Sequence, residues 1–595
     1  MTALHRHPLF APVAIGWAIA AAVLTLVAAR SIAHLWFPDA DDAMRLLQVR
    51  DWLAGQSWWD VSQHRLWGGH FAMHWSRLVD LPLAAVMLAF DPLVGPAASN
   101  RIAMTLVPLL TLLVVMALGA ELTRRLAGLE RAKLAVLLAP LSVPLLFQLR
   151  PLRIDHHGWQ IALAMLAAVV LVGRPSARSG VIMGGALAVL LTISLEGLPV
   201  SAVMIAMAML AWAFDPTRRP QAMALMGTLA GGIVLLHVAT RGPAMFQPAC
   251  DAVAPAWIVA IWVAATGFGA AMLVPARSLV ARLALLTLAG GAALAALVGM
   301  APDCVRGPFA SLDPLVYRFW YQNVSEGLPI WQQTLAWALM TAGFPVVGLM
   351  GTILARRGAA GPERVRWTMM LGLASASFAL SLLVIRTGAT ANALALPGGA
   401  WLLHAMLVRA RAVRSLLPRI AATAGALVAA APGLAAGGLF DLRASPVTFP
   451  VAPLTRPPCT HSQEMADLAQ LPPSLLFAPI DATPALIGWT SHRAIAGGYH
   501  RNVAAMHRVI ATFIADPEEA HRSVLASGAR YVVGCPGENE TEIYKSAAPN
   551  GFWAQLERGE RFDWLEPVPI AHSPVLAWRV VYPSKHGLSQ GGSRP

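Results

Sequence analysis

The sequence predicts a polytopic α-helical membrane protein of about 13 spans, followed by a small C-terminal α/β domain. Composition is the first observation: of 595 residues, 57% are hydrophobic and only 13% charged, with a mean hydropathy of +0.59. A water-soluble fold carries roughly a quarter charged residues, so a soluble enzyme, a disordered chain and a disulfide-stapled miniprotein are all excluded. The second observation is that apolar stretches long enough for a membrane helix, about 17–25 residues, recur as far as residue 440. The third is a change of pattern beyond that point, to short apolar runs separated by polar helical stretches.

The first stretch, Phe10 to Phe37, follows Arg6 and His7 and lacks a small-residue cleavage site, so it reads as a retained anchor. Twelve more follow near 101–121, 134–150, 158–173, 180–196, 198–214, 222–240, 256–275, 283–300, 333–355, 367–386, 388–408 and 420–440. The segment 78–94 is apolar but is interrupted by Asp80, Pro82, Asp91 and Pro92. Loop charge decides its role. Basic clusters lie at Arg124, Arg125, Arg131 and Lys133, at Arg218 and Arg219, and at Arg356, Arg357, Arg364 and Arg366. These and the clusters like them all fall on the cytoplasmic side only if 78–94 lies on or dips into the membrane. The expected topology is a bacterial inner-membrane protein with a cytoplasmic N-terminus and a periplasmic C-terminal domain. The net charge of +13 then fixes orientation and does not call for nucleic acid.

The predicted organisation is a membrane domain over 1–440, with outer loops 38–100, 151–157 and 301–332, and a periplasmic α/β domain over 441–583. That domain has a proline-rich lead-in, 446–458, and strands expected near 475–480, 530–535 and 575–581. Helical stretches are expected at 501–527 and 550–558, and a disordered polar tail over 584–595. Cys250, Cys304, Cys459 and Cys535 all fall on the oxidising outer side. They allow the pairs Cys250–Cys304 and Cys459–Cys535, with four free thiols as the alternative.

Charged groups at a membrane boundary are costly and mark function. Pro38-Asp39-Ala40-Asp41-Asp42 places three carboxylates in four residues directly after a span. Acids so close repel unless a cation neutralises them, and hard oxygen ligands suit Mg²⁺ or Mn²⁺. The same motif also reads as a helix N-cap with an acidic first turn. In Arg150-Pro-Leu-Arg153-Ile-Asp155-His156-His157, Asp155 and His157 can reach one ion, and Arg150 and Arg153 an anion; an Asp-His pair here also serves as a cap. Glu326 lies in the long loop 301–332 with Tyr317, Trp320 and Tyr321. Glu196, between two spans, reads as a structural acid, and Arg386 stands at a span end without an acidic neighbour in sequence, suited to a phosphate or to snorkelling. These motifs converge on one membrane face.

This pattern resembles the catalytic subunit of oligosaccharyltransferase and its relatives among C-type (GT-C) membrane glycosyltransferases. Asp39-Ala40-Asp41 with VRDWLAG at 49–55 is similar to the family's first-loop motif, Asp155-His156-His157 to its second, and Asn323-Val324-Ser325-Glu326 to its fifth. MHWSRLVDLPLAAVM at 73–87 resembles the family's interfacial segment. By this resemblance Asp41, Asp155 and His157 hold a divalent metal, Asp39 supports that site, and Glu326 reaches the metal or the acceptor. Arg386 matches an arginine that binds the donor diphosphate, with Arg153 beside it. The implied activity is metal-dependent transfer of a sugar or oligosaccharide from a polyprenyl-(di)phosphate to a glycan, lipid-linked or protein acceptor at the periplasmic face. The chain departs from the family at 480–489, where a Trp-Trp-Asp-Tyr-Gly sequon-reading motif is replaced by IDATPALIGW. The alternative from another class is a transporter or export component with a carboxylate ion path, which needs acids near mid-membrane.

Overall fold

A computed structural model of the chain describes residues 7–69, 71–307, 309, 312–441, 459 and 462–583. The proline-rich lead-in and the tail from 584 lie outside the described residues. Each long apolar stretch forms a helix, because in hydrocarbon only intrasegment hydrogen bonds satisfy the backbone. Among the described residues, nine helices are long and apolar enough to cross a membrane. A bent pair, Leu129–Leu141 and Val143–Leu149, meeting at 71°, is long and apolar enough when its two pieces are taken together. Pro140 and Pro144 flank this bend, and the Ser142 side chain caps the second piece by accepting from Leu145 N. Three further apolar helices, His157–Leu171, Ala177–Ile193 and Leu416–Ala430, are shorter than 18 residues. Together these account for the thirteen stretches expected from sequence.

Two more of the expected continuous spans are broken. The first divides into Phe10–Val27 and Ala29–His34 and ends at Leu35, in the left-handed region at φ 52°. The last divides before Pro432, whose missing N–H cannot continue the helix. The segment at 78–94 becomes a 15-residue helix, Asp80–Val94, short of the roughly 20 residues a crossing needs. Gly95, at φ 77°, turns the chain from it into the 32-residue helix Pro96–Ala127. Leu83, Ala84 and Met87 of the short helix pack with Phe37, Ala43, Leu46 and Ile154, which forms an apolar floor beneath the acidic motifs.

The first loop also carries a small hairpin, β1 (Ser62–Gln63) and β2 (Phe71–Ala72). The C-terminal domain is built on a five-stranded sheet of β3 (Leu475–Phe477), β4 (Arg493–Ala494), β5 (Tyr531–Gly534), β6 (Leu565–Pro567) and β7 (Leu576–Val580), in the order β4-β3-β5-β7-β6. β3 pairs in parallel with β4 and β5, and β7 runs antiparallel to β5 and β6. The three sequence-expected strands are present. The helical stretch at 501–527 is two helices, Val503–Ile514 and Pro517–Ser527, because Asp516 caps the second through Glu518 N and Glu519 N.

The first loop and the sheet are joined. Trp67 N donates to Ala494 O at 2.9 Å and Ala494 N to Arg65 O at 3.0 Å. Arg501 forks onto Asp251 through Nε and Nη2, both at 2.7 Å, and His500 Nε2 meets the same carboxylate at 2.7 Å. Two disulfides, Cys250–Cys304 and Cys459–Cys535, cross-link the loop segments, with Cα separations of 4.9 and 5.5 Å.

Candidate active site

Asp39 is extended (φ −148°, ψ 148°), and its Oδ1 accepts from Asp41 N at 3.0 Å, so it caps the helix Ala40–Leu53. The capping reading of the motif therefore holds for Asp39, and it places Asp41 and Asp42 in the first turn on different sides. Asp42 turns inward and is fully buried. Its Oδ1 accepts from the backbone N–H groups of Ile154 and Asp155 at 2.8 and 3.0 Å, and its Oδ2 meets Arg153 at 3.1 Å. Asp41 turns toward the cavity.

The segment after Leu149 reverses sharply. Leu152 sits at φ 70° and bonds Met104 O through its own N–H at 2.8 Å. This delivers Arg153, Asp155, His156 and His157, all buried, to the site. Asp155 is gripped from three directions: Arg45 at 3.3 Å, His156 Nδ1 at 2.6 Å and His157 Nε2 at 3.3 Å. Burial opposes its ionisation, but the charges of His156, His157 and Arg45 hold its pKa well below the usual range. Asp155, His156 and His157 offer ligand atoms within 4.8 Å of one another.

Glu326 arrives on a tight turn, Ser325–Gly327, pinned by Ile385 N donating to Leu328 O at 3.1 Å. One oxygen lies 3.8 Å from His157 Nε2 and 3.5 Å from Arg386 Nη2; the other lies 3.5 Å from Arg153 Nη2. Burial raises its pKa, but Arg386, His157 and Arg153 outweigh that and hold it at about 2. Arg386 occupies a turn, Ile385–Thr387, between two long helices. Without an acidic neighbour in sequence, it is paired in the fold, with Glu196 through Nη1 and with Glu326. Its buried Nε has no hydrogen-bond partner among the described residues.

The structure brings together Asp39, Asp41, Asp155, His157, Glu326, Arg153 and Arg386, whereas Arg150, the other candidate anion ligand, lies over the Phe147 ring at 4.7 Å. Arg153, expected as an anion ligand, is enclosed by acids, with Asp39 at 2.9 Å, Asp42 at 3.1 Å and Glu326 at 3.5 Å. Glu196, read as a structural acid, joins the site by bonding both Arg386 and His156. Asp42, Arg45 and Tyr499 were not singled out from sequence. Asp42 had a visible signal, being the third acid of its motif. Tyr499 had none beyond its glycine-flanked setting.

A cavity of about 550 Å³ opens where Asp39, Asp41 and Glu326 meet Asp481, Tyr499 and Glu538 of the C-terminal domain. Among the described residues no basic group lies within ion-pair distance of Asp41. Burial first, then repulsion from Asp39, Asp155 and Glu326, pushes its carboxyl well above the usual range.

This architecture has solved counterparts. The oligosaccharyltransferase AglB from Archaeoglobus fulgidus, in complex with an inhibitory peptide and a dolichol-phosphate, aligns at TM-score 0.65 and 13% identity over 93% of this chain and 72% of its own. The chain has an oligosaccharyltransferase-like GT-C fold. The A. fulgidus oligosaccharyltransferase tethered with an acceptor peptide containing the NVT sequon aligns at 0.61 and 13% identity, over 96% of this chain and 74% of that one. Its complex with Zn and sulfate aligns at 0.55 and 13% identity, over 87% and 67%. No family model and no curated protein matches the sequence.

Proposed function

We propose that the protein is a membrane glycosyltransferase that moves a sugar or oligosaccharide from a polyprenyl phosphate or diphosphate to a glycan, lipid-linked or protein acceptor. One observation carries this reading: Asp39, Asp41 and Glu326 line one cavity of an oligosaccharyltransferase-like fold, and ion pairs tie Glu326 to Arg386 and to His157, which in turn meets Asp155. The similar archaeal structures, described with dolichol-phosphate, acceptor peptide, and Zn with sulfate, support a polyprenyl-linked donor, an acceptor substrate and a metal.

The donor set fits a divalent cation, Mg²⁺ or Mn²⁺. Asp41 is a carboxylate without a basic partner, set against Asp155 and Glu326, and an ion there removes a repulsion that the protein leaves standing. Asp41, Asp155 and His157 would hold it, with Asp39 as support. When bound, it supplies positive charge for the departing phosphate oxygen.

The chain's own residues do the rest. Arg386 keeps Nη1 and Nη2 on Glu196 and Glu326, and its Nε, buried and without a partner among the described residues, is the donor left for the phosphate. As the acceptor's nucleophile bonds the anomeric carbon, the carbon–oxygen bond to phosphate breaks and that oxygen carries the electron pair away. Glu326 or Asp39, both paired with Arg153, takes the acceptor's proton. Arg45, bonded to Asp80 at 2.8 Å and to Asp155, holds Asp155 from behind.

The ion-path alternative required acids within the spans. Glu196 lies at the helix junction Leu195–Gly197 and is bonded into the site. The expected setting remains the bacterial inner membrane, with a cytoplasmic N-terminus and the α/β domain on the periplasmic side, supported by the alternation of basic loops. The test is turnover of a labelled polyprenyl-linked sugar by purified protein. Asp155→Ala and Asp41→Ala should abolish transfer while leaving membrane insertion intact, and wild-type transfer in either would overturn the assignment. Mass spectrometry of surface glycans from a deletion strain identifies which acceptor loses a sugar.

A further inference from the structure

The wall of the cavity contributed by the C-terminal domain is not needed for the donor. It presents Asp481, Glu538 and Glu540 opposite Asp39, Asp41 and Glu326. Arg153, behind the cavity, answers Asp39 and Glu326. Among the described residues, no Lys, Arg or His lies within ion-pair distance of Asp481, Glu538 or Glu540, and none lines the cavity. Glu540 is occupied, accepting from Ile480 N and Asp481 N at 2.8 and 2.7 Å. Asp481 and Glu538 are free to meet a ligand.

A second observation points to the same space. Tyr499 is 2% exposed, lines the cavity, and among the described residues its hydroxyl has no hydrogen-bond partner. A buried hydroxyl without a partner costs free energy that a bound donor or acceptor recovers. Its hydroxyl faces the acids: burial, and then the charges of Asp41, Asp39 and Asp481, push its pKa well up. Gly498, beside it, has no room for a side chain, since a Cβ would stand 2.9 Å from Trp320 Nε1 and 3.4 Å from Asp481 Oδ1. Trp320, Tyr499 and Phe37 give the cavity aromatic surface among its acids, and aromatic faces with carboxylates are the composition that holds a sugar ring and its polar substituents.

We infer that this cavity takes an acceptor saccharide bearing a protonated amine, the ammonium group sitting among Asp481, Glu538 and the Tyr499 hydroxyl. An uncharged sugar satisfies the hydroxyl but leaves the facing carboxylates in mutual repulsion. An ammonium satisfies the hydroxyl and removes the repulsion. Burial, and then Asp481 and Glu464, push Glu538 up to about 8, and an ammonium beside it favours the carboxylate form again. The inference rests on the glycosyltransferase reading and names the acceptor for it.

The experiment titrates the purified full-length protein in nanodiscs with a glucosamine trisaccharide and with its fully N-acetylated counterpart, which differ only in charged amine against neutral amide. Calorimetry should show the amino trisaccharide binding at least about tenfold tighter. Tyr499→Phe should weaken that binding several-fold with little change in thermal midpoint. Asp481→Asn combined with Glu538→Gln should bring the two ligands to within about twofold of each other. Equal affinity for the two saccharides in the wild-type protein overturns the inference, as does a lysine-rich peptide binding while the amino trisaccharide does not. Asp155→Ala separates this from the reading beneath it. That variant should lose donor turnover and keep the amine preference, so turnover that survives in it counts against the glycosyltransferase, whereas a lost preference counts against the acceptor site.

Discussion

Asp42 holds Asp155 in place from 113 residues away: its Oδ1 accepts the Asp155 backbone N–H at 3.0 Å, while the same oxygen accepts that of Ile154. Neither bond touches the cavity, yet together they set the backbone from which Asp155 and His157 project. A buried carboxylate that caps two N–H groups and meets Arg153 is not replaceable by a smaller side chain, because the N–H groups and the guanidinium are then left unpaired.

Asp42→Ala should therefore lower stability by about 3 kcal/mol or more and abolish donor turnover. Asp42→Asn, which keeps one oxygen for the two N–H groups but loses the charge facing Arg153, should retain more stability than activity. Thermal midpoints of the two variants beside wild-type, with turnover on the same preparations, check this. An Asp42→Ala protein with wild-type turnover would show that the backbone does not need this anchor.

Metal removal should act through Asp41. A chelator should stop turnover, Mn²⁺ or Mg²⁺ should restore it, and the metal concentration for half-maximal rate should rise at least about tenfold in Asp41→Asn. Asp41 makes no other side-chain bond among the described residues, so this variant should keep the wild-type thermal midpoint in the metal-free state. A chelator-insensitive enzyme would remove the metal from the site.

Much of this was legible in the sequence because membrane helices are written in long apolar runs and the scarce acids stand out against them. Asp39, Asp41, Asp155 and Glu326 were visible for that reason, and so was the departure of 78–94 from a spanning helix. Breaks at Ala28 and before Pro432 were less visible, because apolar composition persists across them. The partners of Arg386 and Arg153 could not be read, since ion pairs between residues 190 and 173 positions apart depend on how the helices pack. Tyr499 and Asp481 were hidden differently. A domain of short strands places its loops by sheet register, and the parallel pairing of β3 with β4 brings the Gly497–Tyr499 turn beside Asp481.

Arg386 should separate charge from shape. Arg386→Ala removes the phosphate partner and leaves Glu196 to His156 and Glu326 to Arg153 and His157, and turnover should fall roughly 10²–10³-fold. Arg386→Lys keeps the charge but cannot bond two acids while offering a third edge, so it should recover only part of that loss. Glu196→Gln should mimic the lysine variant more than the alanine one, because Arg386 then loses its positioning and keeps its charge. Single-turnover rates with saturating donor distinguish these, and an Arg386→Lys rate equal to wild-type would assign the residue a charge role alone.

The contact between the C-terminal domain and the loop after Gly242 should be sensitive to acid. Burial opposes ionisation of Asp251, but hydrogen bonds from His500 and Arg501, and the charge of Arg501, hold its pKa well below the usual carboxylate range. A carboxyl with a depressed folded pKa contributes stability that is fully present above its unfolded value, near 3.9, and is lost as pH falls below that toward the folded value. Between about pH 5 and pH 3 the thermal midpoint of wild-type should therefore fall more steeply than that of Asp251→Asn, whose amide does not titrate. At pH 7 the order reverses, with Asp251→Asn less stable by about 1.5–3 kcal/mol, the worth of hydrogen bonds to a charged group. Midpoints of both proteins measured across that range decide it: parallel pH profiles would mean that Asp251 is not what ties His500 and Arg501 to this loop.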